Sequence, residues 1–157
     1  MVFTSNISSL PDRPVGVGAL IHCSLANQVT DCLVPALRDC DKSEWEAATG
    51  GRILRLRVTR PGLSLQWEYI GVYQHVAKAA NRSARALLRE TLTVILKSAN
   101  KEERRAMVIG DFNAAPPGGR WGYATGSQAV REDDTMNAWI RANDLTEVLP
   151  GRQPMET

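Results

Sequence analysis

No stretch of this sequence stays apolar for long enough to span a bilayer, so a membrane partner is not expected. Residues 1–14 show neither the basic head nor the apolar core of a secretory leader, and an intracellular setting is expected. Cysteine is scarce. Cys23, Cys32 and Cys40 are odd in number and fit no metal-ligand spacing, which points to idle or buried thiols in a reducing compartment. Histidine is scarcer still, with only His22 and His75. Gly and Pro together make up 20 of the 157 residues, too few for a collagen-like chain or a linker. There is no internal repeat and no low-complexity block. What is present is the composition of an ordinary folded domain, 43% hydrophobic and 23% charged. The length suits one domain, here residues 1–157, which at this size buries roughly 68–70% of its unfolded surface.

The net charge of +2 conceals an asymmetry. Residues 50–105 hold 12 Lys/Arg against 4 Asp/Glu, a balance of +8, and the rest of the chain carries −6. A basic middle beside acidic flanks suits a polyanion surface next to a catalytic region, and equally suits a set of solvated helix and strand faces.

The first fourteen residues read as loop. Val15–His22 reads as a buried strand, continuously apolar and without a helical period. Residues 30–48 are ambiguous, since Pro35 interrupts the short helix that Leu33, Val34 and Leu37 suggest, and Gly50-Gly51 closes the segment as a turn. In Arg52–Arg60 the apolar Leu54, Leu56 and Val58 alternate with Arg55, Arg57 and Thr59, so the two arginines are expected to form an exposed basic stripe. Pro61-Gly62 and the β-rich run Leu65–Tyr73 complete a predicted hairpin. Trp67, Tyr69 and Tyr73 share one parity in that run, with Trp67 and Tyr69 expected in the core.

Ser83–Ser98 predicts a helix. Ala84, Leu87, Leu88, Leu92, Ile95 and Leu96 recur with the 3.6-residue period, and Arg82, Arg85 and Arg89 fall on or beside the other face. Asn81 or Ser83 is suited to cap it. Ala106–Gly110 is a short strand, apolar throughout and so expected to be covered on both faces. A Pro- and Gly-rich loop follows over Ala114–Gly126, then a short helix over Thr135–Ala142. This order implies a mixed α/β fold with helices packed on a sheet.

The chemistry concentrates where the apolar strand Met107–Ile109 runs into Gly110-Asp111-Phe112-Asn113. Strand alternation turns Asp111 and Asn113 to one side and Phe112 to the other. A carboxylate at a strand end can take a proton from water or hold a hard cation, and a neighbouring amide can donate to a phosphate oxygen. The same pattern also serves as an Asx turn.

Ile109–Asn113 resembles the GDFN motif of the endonuclease/exonuclease/phosphatase superfamily, which includes the deoxyribonuclease-I-like enzymes and the endonucleases of non-LTR retrotransposons. Gly16–Ile21 is similar to the family's early apolar strand. Ile70-Gly71-Val72-Tyr73 is similar to its Asn-Val-Tyr strand, with Gln74-His75 replacing the usual Ala-Pro. The helix over Arg82–Leu96 and then GDFN follow in the family's order, and Leu145–Leu149 resembles a later segment of retrotransposon-type members.

The resemblance implies a two-sheet β-sandwich flanked by helices, here truncated at both ends. It implies phosphodiester hydrolysis with Mg²⁺ or Mn²⁺, DNA as partner and, for a retroelement enzyme, a nuclear location. By it, Asp111 is the Asp that orients or deprotonates the attacking water. Asn113 is the Asn bonded to the scissile phosphate and to that Asp, and Tyr73 lies near the phosphate. His75, which shares parity with Tyr73, and Arg120 and Trp121 of the Gly118–Ser127 loop are candidate substrate contacts, the last two by clamping or stacking. His22 is read as structural.

The chain also departs from the family. No Glu precedes Glu44, and no Ser-Asp-His triplet occurs, so the resemblance assigns no metal ligand. A partial catalytic set loses orders of magnitude in rate. The expectation is therefore an endonuclease-type domain that is inactive as this polypeptide. Its rivals are a remnant of the same fold that binds nucleic acid without cutting, and a remnant that does not fold.

Overall fold

The alternating and apolar runs become the strands of a mixed sheet in the computed structural model, which describes residues 2–4, 16–59, 62, 66–76, 78–113 and 134–146. In chain order these form β1 (Val2–Thr4), β2 (Gly18–Leu20), β3 (Val29–Asp31), α1 (Lys42–Thr49), β4 (Ile53–Val58), β5 (Trp67–Tyr73), α2 (Arg82–Lys101), β6 (Arg105–Asp111) and α3 (Asp134–Ala142). A 3-10 turn over Cys23–Gln28 leads into β3. The fold is α/β, with a four-stranded sheet in the order β3-β4-β5-β6 and a separate β1-β2 pair. The chain divides into two compact units, residues 1–113 and 114–157. The second unit contributes α3, the helix expected over Thr135–Ala142.

The predicted hairpin is present. β4 and β5 are antiparallel, with Leu54 opposite Gly71 and Leu56 opposite Tyr69. β6 returns parallel to β5 after α2, the arrangement that a crossover helix allows. The sheet has two covered faces. On one, Val29, Leu54 and Leu56 form a cluster against which Val17, Ala19, Ile21 and Tyr69 pack. Gly71 lets this layer approach: a Cβ there would lie 2.7 Å from Val17 Cγ1. On the other face Ile53, Ile70 and Val72 are buried, as are Leu88, Leu92, Ile95 and Ala99 of α2, the apolar stripe foreseen by its period. One hydroxyl ties α1 to α2: Thr91 Oγ1 accepts from Trp45 Nε1 at 3.0 Å and donates to Leu87 O at 2.9 Å.

Several expectations are corrected. Val2–Thr4, placed in a loop, is a strand that pairs antiparallel with β2. β2 is shorter than Val15–His22 and is covered on one side only, since Leu20 is 85% exposed while Ala19 packs inward. The ambiguous stretch holds α1, whose start is fixed by Asp41: its Oδ1 accepts the N–H groups of Ser43 and Glu44. Asn81 does not cap α2, because its Nδ2 donates instead to Val76 O at 3.0 Å. β6 is not covered on both faces; it is the last strand of the sheet, and Ile109 is 54% exposed.

The largest correction concerns charge. Arg55 does not belong to an exposed stripe. It is buried and donates to Glu68, whose side chain has no exposure and also accepts from Arg104 Nε at 2.8 Å. Arg104 bonds Glu102 as well, and Arg57 reaches Glu102 at 3.7 Å. Arg85 and Arg89 are buried on α2 rather than turned to solvent. Four of the basic side chains in the +8 segment are thus internal and add nothing to a basic surface.

Candidate functional site

The parallel register of β5 and β6 builds the site. Tyr73 stands opposite Asp111, and beyond that pair Gln74 N–H donates to Asp111 O at 2.8 Å. Paired residues of adjacent strands share a face, so the phenol and the carboxylate emerge side by side. Gly110 makes the close pairing possible: a Cβ there would run into the carbonyl oxygen of Val72. The glycine of the Gly-Asp-Phe-Asn motif is required by the β5 backbone.

After Asp111 the chain turns sharply. Asp111 Oδ1 accepts the Asn113 N–H at 2.9 Å, an Asx turn, and Asn113 takes a left-handed φ of 45°, a conformation Asn tolerates better than most residues. The Asn113 side chain is anchored across the sheet end, with Nδ2 donating to Gln74 O at 2.7 Å. One of its two amide hydrogens is thereby committed. Arg85, buried on α2, braces the same turn through Nη1, which donates to His75 O and at 3.5 Å to Asn113 O. Behind the site the Gln74 side chain is wholly enclosed, and neither of its amide atoms has a hydrogen-bond partner among the described residues.

The structure therefore brings Tyr73, Asp111 and Asn113 to one corner at the ends of β5 and β6. Tyr73 is 38% exposed and Asp111 is open to solvent. His75 is nearby but turned to another task. Its Nε2 lies 2.9 Å from Ala48 O, and since a carbonyl only accepts, Nε2 carries the proton. Burial pushes His75 below its ordinary value, the Ala48 bond opposes this, and Arg52 and Arg85 lower it further. The imidazole is neutral near pH 7 and joins α1 to the end of β5. His22 caps the 3-10 turn, its Nδ1 3.3 Å from Ser24 N. Arg120, Trp121 and the Gly118–Ser127 loop lie outside the described residues, as do Glu147–Leu149.

Sequence reading missed one member of the corner. Arg52 precedes β4, and once Ile53 is paired with Val72, Arg52 falls beside Tyr73. Tyr73 N–H donates to Arg52 O at 2.9 Å, and Arg52 Nη1 donates back to Tyr73 O at 3.2 Å. The guanidinium carbon sits 5.2 Å from the centre of the Tyr73 ring, a cation–π contact. The alternation of residues 52–60 was visible, but the register that selects Arg52 among the four arginines of that stretch was not.

Among the described residues no group of three or more His, Cys, Asp or Glu side chains is placed to hold a metal ion. The corner offers one carboxylate, whereas Mg²⁺ and Mn²⁺ favour several oxygen ligands, so these residues alone do not fit such an ion. No helix of the described residues is long and apolar enough to cross a membrane. No family model, no curated protein and no solved structure matches the chain.

Proposed function

We propose that this chain is an endonuclease/exonuclease/phosphatase-type domain of a retroelement-like protein, acting on the phosphodiester backbone of DNA, and that this polypeptide by itself binds without cutting. The observation that carries the proposal is the β5–β6 register, which sets Tyr73 against Asp111 and places Asn113 on the turn that follows. A phenol, a carboxylate and an amide at one strand end form a polar edge able to contact a phosphate and position water. The β1-β2 pair, whose second strand adjoins the Leu54 and Leu56 cluster, supports taking it as the start of a second sheet of a sandwich. In the family that the sequence resembles, Mg²⁺ or Mn²⁺ neutralises charge on the phosphate and the leaving oxygen. A lone carboxylate at the corner, among the described residues, favours binding over cleavage.

The test is incubation of the purified chain with supercoiled plasmid and Mg²⁺ or Mn²⁺. The expected result is retained supercoiling together with a mobility shift that weakens as salt rises. Nicking that disappears in Asp111→Ala would overturn the inactive assignment and establish the hydrolase. Absence of any salt-sensitive DNA binding would remove nucleic acid as the partner.

A further inference from the structure

Arg52 differs from Arg55, Arg57 and Arg104, the arginines whose carboxylate partners are seen. Arg55 and Arg104 share Glu68, while Arg57 and Arg104 share Glu102. Arg52 is half-buried and, among the described residues, has no carboxylate partner, and no ion pair joins it to Asp111 across Tyr73. The one hydrogen bond that its side chain makes among the described residues, to the Tyr73 carbonyl, uses one of the five N–H donors of the guanidinium fork. The remaining donors are held in place by that bond and by the ring beneath. A partly desolvated cation without an anion is costly, and the cost is recovered when an anion docks. Burial lowers Arg52 from its ordinary value, the direction expected of a charge that lacks a counter-ion.

We infer that Arg52, clamped on Tyr73, is a phosphate anchor of the corner and binds a phosphodiester group of nucleic acid through its free guanidinium edge. The inference rests on the proposed phosphodiester reading of the same corner and adds to it a cation that the motif does not contain. The planar fork suits two phosphate oxygens at once, which an ammonium group does not match. Tyr73 fixes the orientation of the fork, so the anchor is pre-organised and loses little side-chain freedom on binding.

The test is the affinity of the whole chain for a short fluorescein-labelled DNA duplex in EDTA buffer, where cleavage cannot contribute, measured by anisotropy over a range of salt. Arg52→Gln is expected to weaken binding roughly tenfold and to lower the salt slope by about one. Arg52→Lys is expected to keep the slope while losing part of the affinity. A wild-type Kd and slope in Arg52→Gln would overturn the inference and leave the DNA-binding proposal standing; failure of the wild-type chain to bind would overturn both. Should Arg52→Gln not fold, the Nε–H resonance of Arg52 in the wild-type chain, assigned by its loss in Arg52→Lys, carries the test. A shift on adding the duplex, with none on adding the same concentration of inorganic phosphate, supports a nucleic-acid phosphodiester. An unmoved resonance, or a shift with inorganic phosphate alone, overturns it.

Discussion

Glu68 shows how an exposed-looking strand position becomes a structural centre. It pairs with Arg57 in the β4–β5 register and is flanked by Arg55, so it lies among basic neighbours from the start. Its carboxylate accepts from Arg55 and Arg104 with no solvent contact, and each arginine has further acceptors, Leu33 O for Arg55 and Glu102 for Arg104. Such a network adds little relative to an apolar core, but removing one member leaves charges buried and unmatched. Glu68→Gln is therefore expected to destabilise the fold by about 3–5 kcal/mol in urea unfolding. Glu102→Gln, at the exposed end of the network, is expected to have a much smaller effect.

At the scale of elements, the site depends on the pairing of β5 with β6. Parallel strands need a long connection, and α2 supplies it with an apolar face that covers the sheet. At Gly110 the β5 backbone leaves no room for a side chain, since an added Cβ would run into the Val72 carbonyl. Gly110→Ala is expected to force the strands apart at the pair next to Tyr73 and Asp111. The expected cost is about 1–3 kcal/mol in thermal or chemical unfolding, the range for inserting atoms into packed structure. Hydrogen exchange at Gln74, whose N–H bonds Asp111 O, should accelerate in the same variant. Unchanged stability and exchange would show that the β5–β6 edge can open without loss.

At the scale of the first unit, charge and pH connect distant parts of the chain. His75 links the end of α1 to the corner and, with its value depressed chiefly by burial, resists protonation when folded. The unfolded chain binds a proton near the ordinary histidine value of about 6.5, whereas the folded chain binds it only at lower pH. Stability is accordingly complete above about pH 6.5 and declines as pH falls toward the depressed value. Asp41 and Glu102 titrate in a separate window. Both are lowered, Asp41 chiefly by the Ser43 hydroxyl and Glu102 chiefly by Arg104, so their contribution is present above the ordinary carboxylate range and lost below it. Tm measured across pH should fall in two stages, and His75→Gln should flatten the first stage while leaving the second.

The sequence by itself determined the local periods. Residues 53–58 alternate as a strand with two differently covered faces, residues 82–101 carry a helical apolar stripe, and an apolar strand delivers Asp111 and Asn113 to one end. Each of these follows from spacing along the chain. The β1 strand and α1 were hidden, because a three-residue strand and an eight-residue helix carry too little pattern of their own. Only the tertiary structure decided that Arg55, Arg85 and Arg104 are internal while Arg52 stays without a carboxylate among the described residues. The reason is physical. Whether a cation is buried, paired or left facing an anion site depends on which residues the strand register and the crossover helix bring beside it, and those partners lie up to several dozen positions away in the chain.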